Sequence, residues 1–299
     1  MNNLGLKNKF KSYDDLFRGS ESDSELPVTD ISIDKLVTFE NHPFKVKNDE
    51  RYKELKESIK AQGVIVPGVA RSLSDGRYEI ISGHTRKTIC EELGIPTMPM
   101  IIKDVDKDTA TVLMVDSNIQ REVISISEKA KAYRMKYEAI KNQGINSLKA
   151  MSEESGDNTK TIQRFIRLGY LNDDLLFLLD DKKLGIRAGV EISYIKPEEQ
   201  VILYEVLSEY NYKLSIDEAV RLRNLSESIG LKKSVIIKEI GISPTGEATA
   251  INNKSIKQSV SIKRKKLEKY FPADYSVEEI ETKIIEILDQ WSIQSEREV

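Results

Sequence analysis

The sequence predicts an α+β protein: a small mixed α/β domain first, an all-α domain behind it, and a small C-terminal segment. Three observations carry this expectation. From residue 31 to about 123, short β-branched runs alternate with helical stretches. After about Ser125 the strand signals nearly vanish, and amphipathic helices follow one another to about Ile240. The 299 residues are 39% hydrophobic and 32% charged, which suits a soluble globular chain of two or three domains.

Residues 1–29 read as a polar tail, with an acidic, serine-rich spacer (SESDSE) at 20–25. Ahead of that spacer, Phe10, Tyr13, Leu16 and Phe17 share one face of a short helix, a spacing that chance also produces. The α/β domain spans 30–124. Residues 31–38 (ISIDKLVT) predict a short strand and turn, and 49–62 (DERYKELKESIKAQ) a helix stopped by Gly63. Residues 66–73 (VPGVARSL) and 78–81 predict strands around a Ser74-Asp75-Gly76 turn. A helix over 85–93 ends at Gly94 and Pro96, a strand covers 98–105 (MPMIIKDV), and a helix covers 108–120. The helical domain spans 125–240. It opens with a serine-capped helix over 127–142, whose apolar positions are Ala130, Tyr133, Tyr137 and Ile140. A linker follows over 241–254. The segment 255–299 carries a strand-like run (SVSIKRKK) and a one-sided helix over 277–291.

Several function classes are excluded at this level. No run of about 18 apolar residues exists, so no membrane helix is expected. The first residues lack an apolar signal core, so no secretion is expected, and one cysteine suits a reducing cytoplasm. Two histidines and one cysteine, far apart in the chain, do not supply the usual zinc ligand count. A net charge of −3 argues against a sequence-blind nucleic-acid coat but leaves room for a local basic face.

Three stretches carry candidate chemistry. In ISGHTRKTIC (81–90), a glycine turn precedes a helix, and the first N–H groups of a helix bind anions. Thr85 caps that helix or meets a phosphate oxygen, and Arg86 and Lys87 add positive charge; an ordinary turn with surface basic residues reads the same way. Cys90 reads as core. In DSNIQRE (116–122), Asn118 and Gln120 suit a base or ribose edge, Arg121 a phosphate, and Asp116 magnesium or catalysis; a solvated helix end fits equally. In SLKAMSEESGDNTKTIQRFIRL (147–168), two helices meet at a glycine with helix-turn-helix spacing. Its second helix presents Thr159, Lys160, Gln163, Arg164 and Arg167, with Ser147 and Thr161 nearby, as types suited to phosphates and base edges; a plain helical hairpin is the alternative.

Together these stretches resemble the ParB family of plasmid and chromosome partition proteins, over roughly residues 30–225. Gly63-Val64-Ile65-Val66-Pro67 is similar to the family's first box, with Val66 where glutamine is usual. Gly83-His84-Thr85-Arg86 resembles the second box, and Asn118-Ile119-Gln120-Arg121-Glu122 the third. The resemblance implies a ParB/sulfiredoxin-like first domain that binds CTP with magnesium, a helix-turn-helix that binds a centromere-like duplex, and a homodimer that closes as a clamp. It implies Gly63, Val64, Ile65 and Pro67 on the cytosine side, and Gly83, His84, Thr85 and Arg86 on the triphosphate. Asn118, Gln120 and Arg121 complete the pocket, with Asn118 and Asp116 toward magnesium. The carboxylate that usually opens the third box is Ser117 here, so binding is expected more than hydrolysis. The resemblance also implies a ParA-type ATPase partner for the N-terminal tail and a cytoplasmic, nucleoid-associated protein with no membrane partner. Promoter regulation on the same scaffold is a rival reading, and kinase or nuclease activity a more distant one.

Overall fold

The structure, a computed structural model, describes residues 27–119, 124–144, 147–155 and 157–241, with scattered positions between 270 and 287. Met1–Glu247 forms one compact unit and Ala248–Val299 a second.

The first unit begins with a five-stranded mixed sheet. Its strands are β1 (Val28–Ser32), β2 (Leu36–Val37), β3 (Gly68–Ser72), β4 (Tyr78–Ser82) and β5 (Thr97–Lys103), ordered β1-β5-β3-β4-β2. β1 pairs antiparallel with β5, and β3 antiparallel with β4; β3–β5 and β4–β2 are parallel. A single 3-10 turn (Ile33–Lys35) separates β1 from β2, so the run expected as a short strand and turn holds the end of one strand, a turn and a second strand. β3 starts at Gly68, later than expected, because Pro67 has no N–H for the ladder and the carbonyls of Val66 and Pro67 accept from Arg86 instead.

Alternation along the strands fixes what packs where. Ala70 and Ile80 face a cluster with Tyr52 and Ile59 of α1 (Glu50–Gln62) and Ile89 and Cys90 of α2 (His84–Leu93). Val69 and Ile81 face the other side, against Ala110, Leu113 and Met114 of α3 (Lys107–Ile119). Burial of Ile80, Ile81, Val69 and Ala70 is complete, so the centre of the sheet is covered on both faces.

The helical part continues with α4 (Ile126–Asn142), α5 (Ser147–Ser155), α6 (Thr159–Leu168), α7 (Asp173–Asp180), α8 (Ile186–Ile192), α9 (Pro197–Glu209), α10 (Ile216–Ser228) and α11 (Lys233–Ile240). α4 spans the two parts: Ala132 joins the cluster of α3, while Tyr133 and Ile140 pack on Met151, Ile162 and Ile166. The expected boundary at 124/125 thus falls inside one compact unit. The cap of α4 is Ser125, not Ser127. Ser125 accepts from the Glu128 N–H while Glu128 reaches back to the Ser125 N–H, a reciprocal pairing that needs the acid at the third helical position. Ser127 instead bonds Asp180 through both its N–H and its hydroxyl.

In the second unit, the described positions 279–280, 282–284 and 286–287 are helical, and Ser276 and Glu279 cap one another. Residues 1–26, most of the linker and the SVSIKRKK run lie outside the described residues, while Val28 and Thr29, expected in the tail, already belong to β1. Among the described residues no helix is long and apolar enough to cross a membrane.

Candidate nucleotide and DNA sites

The glycine turn before α2 is present, but Gly83 and not Thr85 is the cap, and no side-chain hydrogen bond caps the helix. Gly83 sits at φ +112, ψ 14 as the N-cap of α2, and the Lys87 N–H closes the first helical turn onto its carbonyl at 3.0 Å. An added Cβ there would lie 3.2 Å from the Gly68 Cα, so turn and β3 approach as closely as two glycines allow. The first turn of α2 holds no acidic residue, so its N-terminal dipole meets no carboxylate of its own.

The basic side chains of this turn have other engagements. One guanidinium nitrogen of Arg86 donates to both the Val66 and Pro67 carbonyls, the latter at 2.8 Å. Arg86 therefore latches α2 to the 63–67 loop. Lys87 pairs with Glu91 one turn on, at 2.5 Å. Gly63 turns the chain out of α1 at φ +73; Val64 packs toward the α1–α2 core, whereas Ile65 is 67% exposed and Val66 52%. The first and second boxes are thus one continuous structure, with exposed apolar residues beside a helix start whose first turn holds no carboxylate.

The two histidines, far apart in the chain, meet in space. The His42 and His84 rings touch, tilted by 47° with 3.9 Å between centroids, and His42 Nδ1 donates to the Phe44 carbonyl at 2.7 Å. A carbonyl only accepts, so that bond places a proton on Nδ1. Sequence reading singled out His84 and passed over His42; no local pattern joins them. Cys90 is fully buried, and burial pushes its thiol pKa up, as expected of a core residue.

The third box lies at the end of α3, which packs across β4. Asn118 is buried, and its amide nitrogen donates to the Met114 carbonyl (2.8 Å) and to Ser117 Oγ (3.1 Å). The Ser117 hydroxyl donates to the same carbonyl at 2.9 Å. Asp116 pairs with the buried ammonium of Lys136 on α4, at 2.5 Å. That pair ties α3 to α4 and competes with any role for Asp116 as a magnesium ligand or a general base. Among the described residues no group of three or more His, Cys, Asp or Glu could hold a metal ion. The donor set fits magnesium only in a limited way: the Asn118 amide oxygen as one ligand, with phosphate and water supplying the rest. Gln120 and Arg121 lie outside the described residues.

The helix-turn-helix is α5 and α6. Asn158 caps α6 by accepting the Thr161 N–H at 2.8 Å. Asp157, just before it, accepts from the Tyr133 hydroxyl at 2.6 Å and pairs with Lys129 at 2.9 Å, so α4 clamps the turn. These two donors hold the Asp157 carboxyl below its usual pKa. Ile162 and Ile166 bury inward, and Thr159, Lys160, Gln163 and Arg164 are exposed on the other side. Two expected members of this face do not lie on it. Ser147 is buried at the start of α5. Arg167 turns back to Ser193, donating to its hydroxyl (3.1 Å) and its carbonyl (2.5 Å). Arg167 is the centre of a stack that sequence reading missed. Arg134, Tyr170, Arg167, Tyr194 and Arg223 alternate, with guanidinium-to-ring distances of 4.0, 4.8, 3.7 and 4.1 Å. Burial pushes the Arg167 pKa down.

Comparison with known proteins places this architecture. Residues 18–119 match the family model described as ParB N-terminal domain. A nucleoid occlusion protein of Oceanobacillus iheyensis is 30% identical over 207 residues, 67% of this chain and 70% of that one. A probable chromosome-partitioning protein ParB of Vibrio cholerae is 28% identical over 235 residues, 71% of this chain and 79% of that one. Two crystal structures of truncated Caulobacter crescentus ParB are also similar. The one complexed to its centromeric parS site is 20% identical, covers 66% of this chain and 98% of its own, and has a TM-score of 0.39. The one complexed with CTP-γ-S is 21% identical, covers 60% and 97%, and has a TM-score of 0.30. A family match over the mixed sheet, and a relative at 30% identity that extends through the helices, lead to one conclusion: the chain belongs to the ParB family.

Proposed function

We propose that this protein is a site-specific DNA-binding protein of chromosome or plasmid partition that binds CTP as a switch. The observation that carries the nucleotide half is the Arg86 latch. It ties a carboxylate-free helix N-terminus, suited to a triphosphate, to the exposed Val64–Pro67 loop, suited to a base. Gly83 and Thr85 would face the phosphates, and His84, in contact with His42, would border them. Asn118 would offer its amide oxygen to magnesium held mainly by the nucleotide. With Ser117 bonded to its own helix and Asp116 bonded to Lys136, binding is favoured over hydrolysis.

The DNA half rests on the exposed Thr159, Lys160, Gln163 and Arg164 of α6, held by a turn that α4 clamps through Asp157. A homodimer would present two such helices to a palindromic site. The tail would meet a ParA-type ATPase, and the protein would lie on the nucleoid. Calorimetry of the full chain with magnesium and CTP, with and without its DNA site, tests the nucleotide half. Binding of CTP over ATP is expected; no binding in either condition would sink it. A genome-wide map of bound DNA tests the other half. One sharp site with a broad flank is expected, whereas isolated promoter peaks would make this a transcriptional regulator. Deleting residues 1–20 should abolish ATPase stimulation and spare DNA binding.

A further inference from the structure

Helices α7 and α9 end at the same place and in the same manner. Lys182 and Asn211 follow their caps at φ 59 and φ 46. The Lys183 N–H reaches back to the Leu178 carbonyl, and the Tyr212 N–H to the Leu207 carbonyl, each at 2.9 Å. Glycine is the usual residue at such a left-handed position, and a lysine there is strained. Strain of this kind clusters at functional sites. Between the two helix ends lies a cavity of about 410 Å³, within the range of ligand pockets.

The lining has a definite chemistry. Phe177, Tyr204 and Tyr212 form aromatic walls, and Lys182, Lys183 and Lys213 form the rim. Phe177 is 61% exposed on a helix whose neighbouring leucines are buried, so it presents a large apolar surface at the mouth. Lys183 pairs with Asp181 at 2.8 Å. Lys182 and Lys213 have no carboxylate partner among the described residues. Neither α5 nor α6 lines the cavity, so it stands apart from the DNA-binding face.

We propose that this cavity docks an acidic peptide segment of a partner protein. One aromatic or aliphatic side chain would sit against Phe177, Tyr204 and Tyr212, with carboxylates on Lys182 and Lys213. Charge complementarity favours carboxylates over nucleic acid. The carbonyl ends of two helices border the cavity and disfavour any anion set against them, so a few carboxylates held out on Lys182 and Lys213 fit where a dense row of phosphates does not. The exposed Phe177 ring supplies apolar area that an anchoring side chain of the peptide would cover.

The test selects a displayed library of random dodecapeptides on the full-length protein and measures the enriched peptide by fluorescence anisotropy. Acidic peptides with one large apolar residue are expected. Affinity should fall about tenfold or more in Phe177→Ala, and likewise in Lys182→Gly combined with Lys213→Ala, with DNA binding unchanged. Lys182→Gly suits the left-handed position, so lost binding in the combined variant reports charge and not misfolding. No enrichment, peptides without acids, or affinity indifferent to these substitutions overturns the proposal. Competition by a synthetic peptide of residues 18–28 (RGSESDSELPV) would reassign the cavity to this chain's own tail. Single-stranded DNA binding lost with the same substitutions would reassign it to nucleic acid. Either result also overturns it.

Discussion

Replacing Gly83 by alanine separates two costs that the structure keeps distinct at another glycine. At Gly83 an alanine must adopt φ +112, and its Cβ lies 3.2 Å from the Gly68 Cα, 3.2 Å from Met98 Cε and 3.3 Å from an Arg86 nitrogen. The methionine and arginine ends can give way, but the Gly68 backbone belongs to β3. Gly76 also has a positive φ, +81, and nothing lies within 4 Å of its added Cβ. Gly76→Ala therefore carries the backbone penalty alone, about 1–2 kcal/mol. Gly83→Ala adds about 1–3 kcal/mol of crowding. For a unit of this size that difference is about 2–12 °C in Tm. Urea and thermal melts of the two variants measure it. Calorimetry with CTP gives the second readout, since a displaced turn no longer aims the first N–H groups of α2. Gly76→Ala should bind CTP as the native chain does, and Gly83→Ala at least about tenfold more weakly, the loss of roughly one good hydrogen bond. Equal melting of the two variants would refute the argument that Gly68 and Gly83 are jammed together.

Three further outcomes follow from other contacts. Arg86→Ala removes the nitrogen that donates to both carbonyls, so amide exchange at Val64–Val66 should accelerate and stability fall by about 1.5–3 kcal/mol; unchanged exchange would show that the latch does not hold the loop. Lys160→Ala should lower DNA affinity and reduce the salt slope by about 1, whereas Arg167→Ala should lower Tm and leave the slope alone; the reverse pattern would put Arg167 on the DNA. The Asp157 carboxyl is held below its unfolded pKa of about 4, so its contribution is present above that pH and is lost as pH falls through the folded value. The stability gap between the native chain and Asp157→Asn, from urea melts, should be constant near neutrality and shrink below about pH 4; a gap that persists in acid would remove Asp157 from the account.

What the sequence revealed was whatever repeats along it. Apolar spacing placed Ala130, Tyr133 and Ile140 on the buried side of α4, and Ile162 and Ile166 inside the helix pair. Gly83 was legible because a lone glycine between a strand and a helix has few other uses. Element edges were less so. Ser127 stands nearer the apolar run, but only Ser125 has a glutamate at the spacing a reciprocal cap requires. The partners of charged side chains were less legible than their faces. Arg86 looked like an anion ligand and binds two loop carbonyls; Asp116 looked like a metal ligand and binds a lysine twenty residues on. The Arg–Tyr stack draws its members from α4, α10 and the ends of α6 and α8, so no window of sequence contains it.

The sealed position of Cys90 has a practical corollary. The chain's single thiol lies in a water-excluded core with burial raising its pKa, so maleimides and disulfide reagents should leave it unmodified in the folded protein. Any cysteine placed elsewhere becomes the only reporter in the molecule, with no native residue to remove first. One at the exposed Ile65, beside the proposed nucleotide site, would accept a fluorophore or a bifunctional crosslinker cleanly. The proposed binding of CTP and the proposed pairing of two protomers could then be tested on an otherwise unaltered sequence.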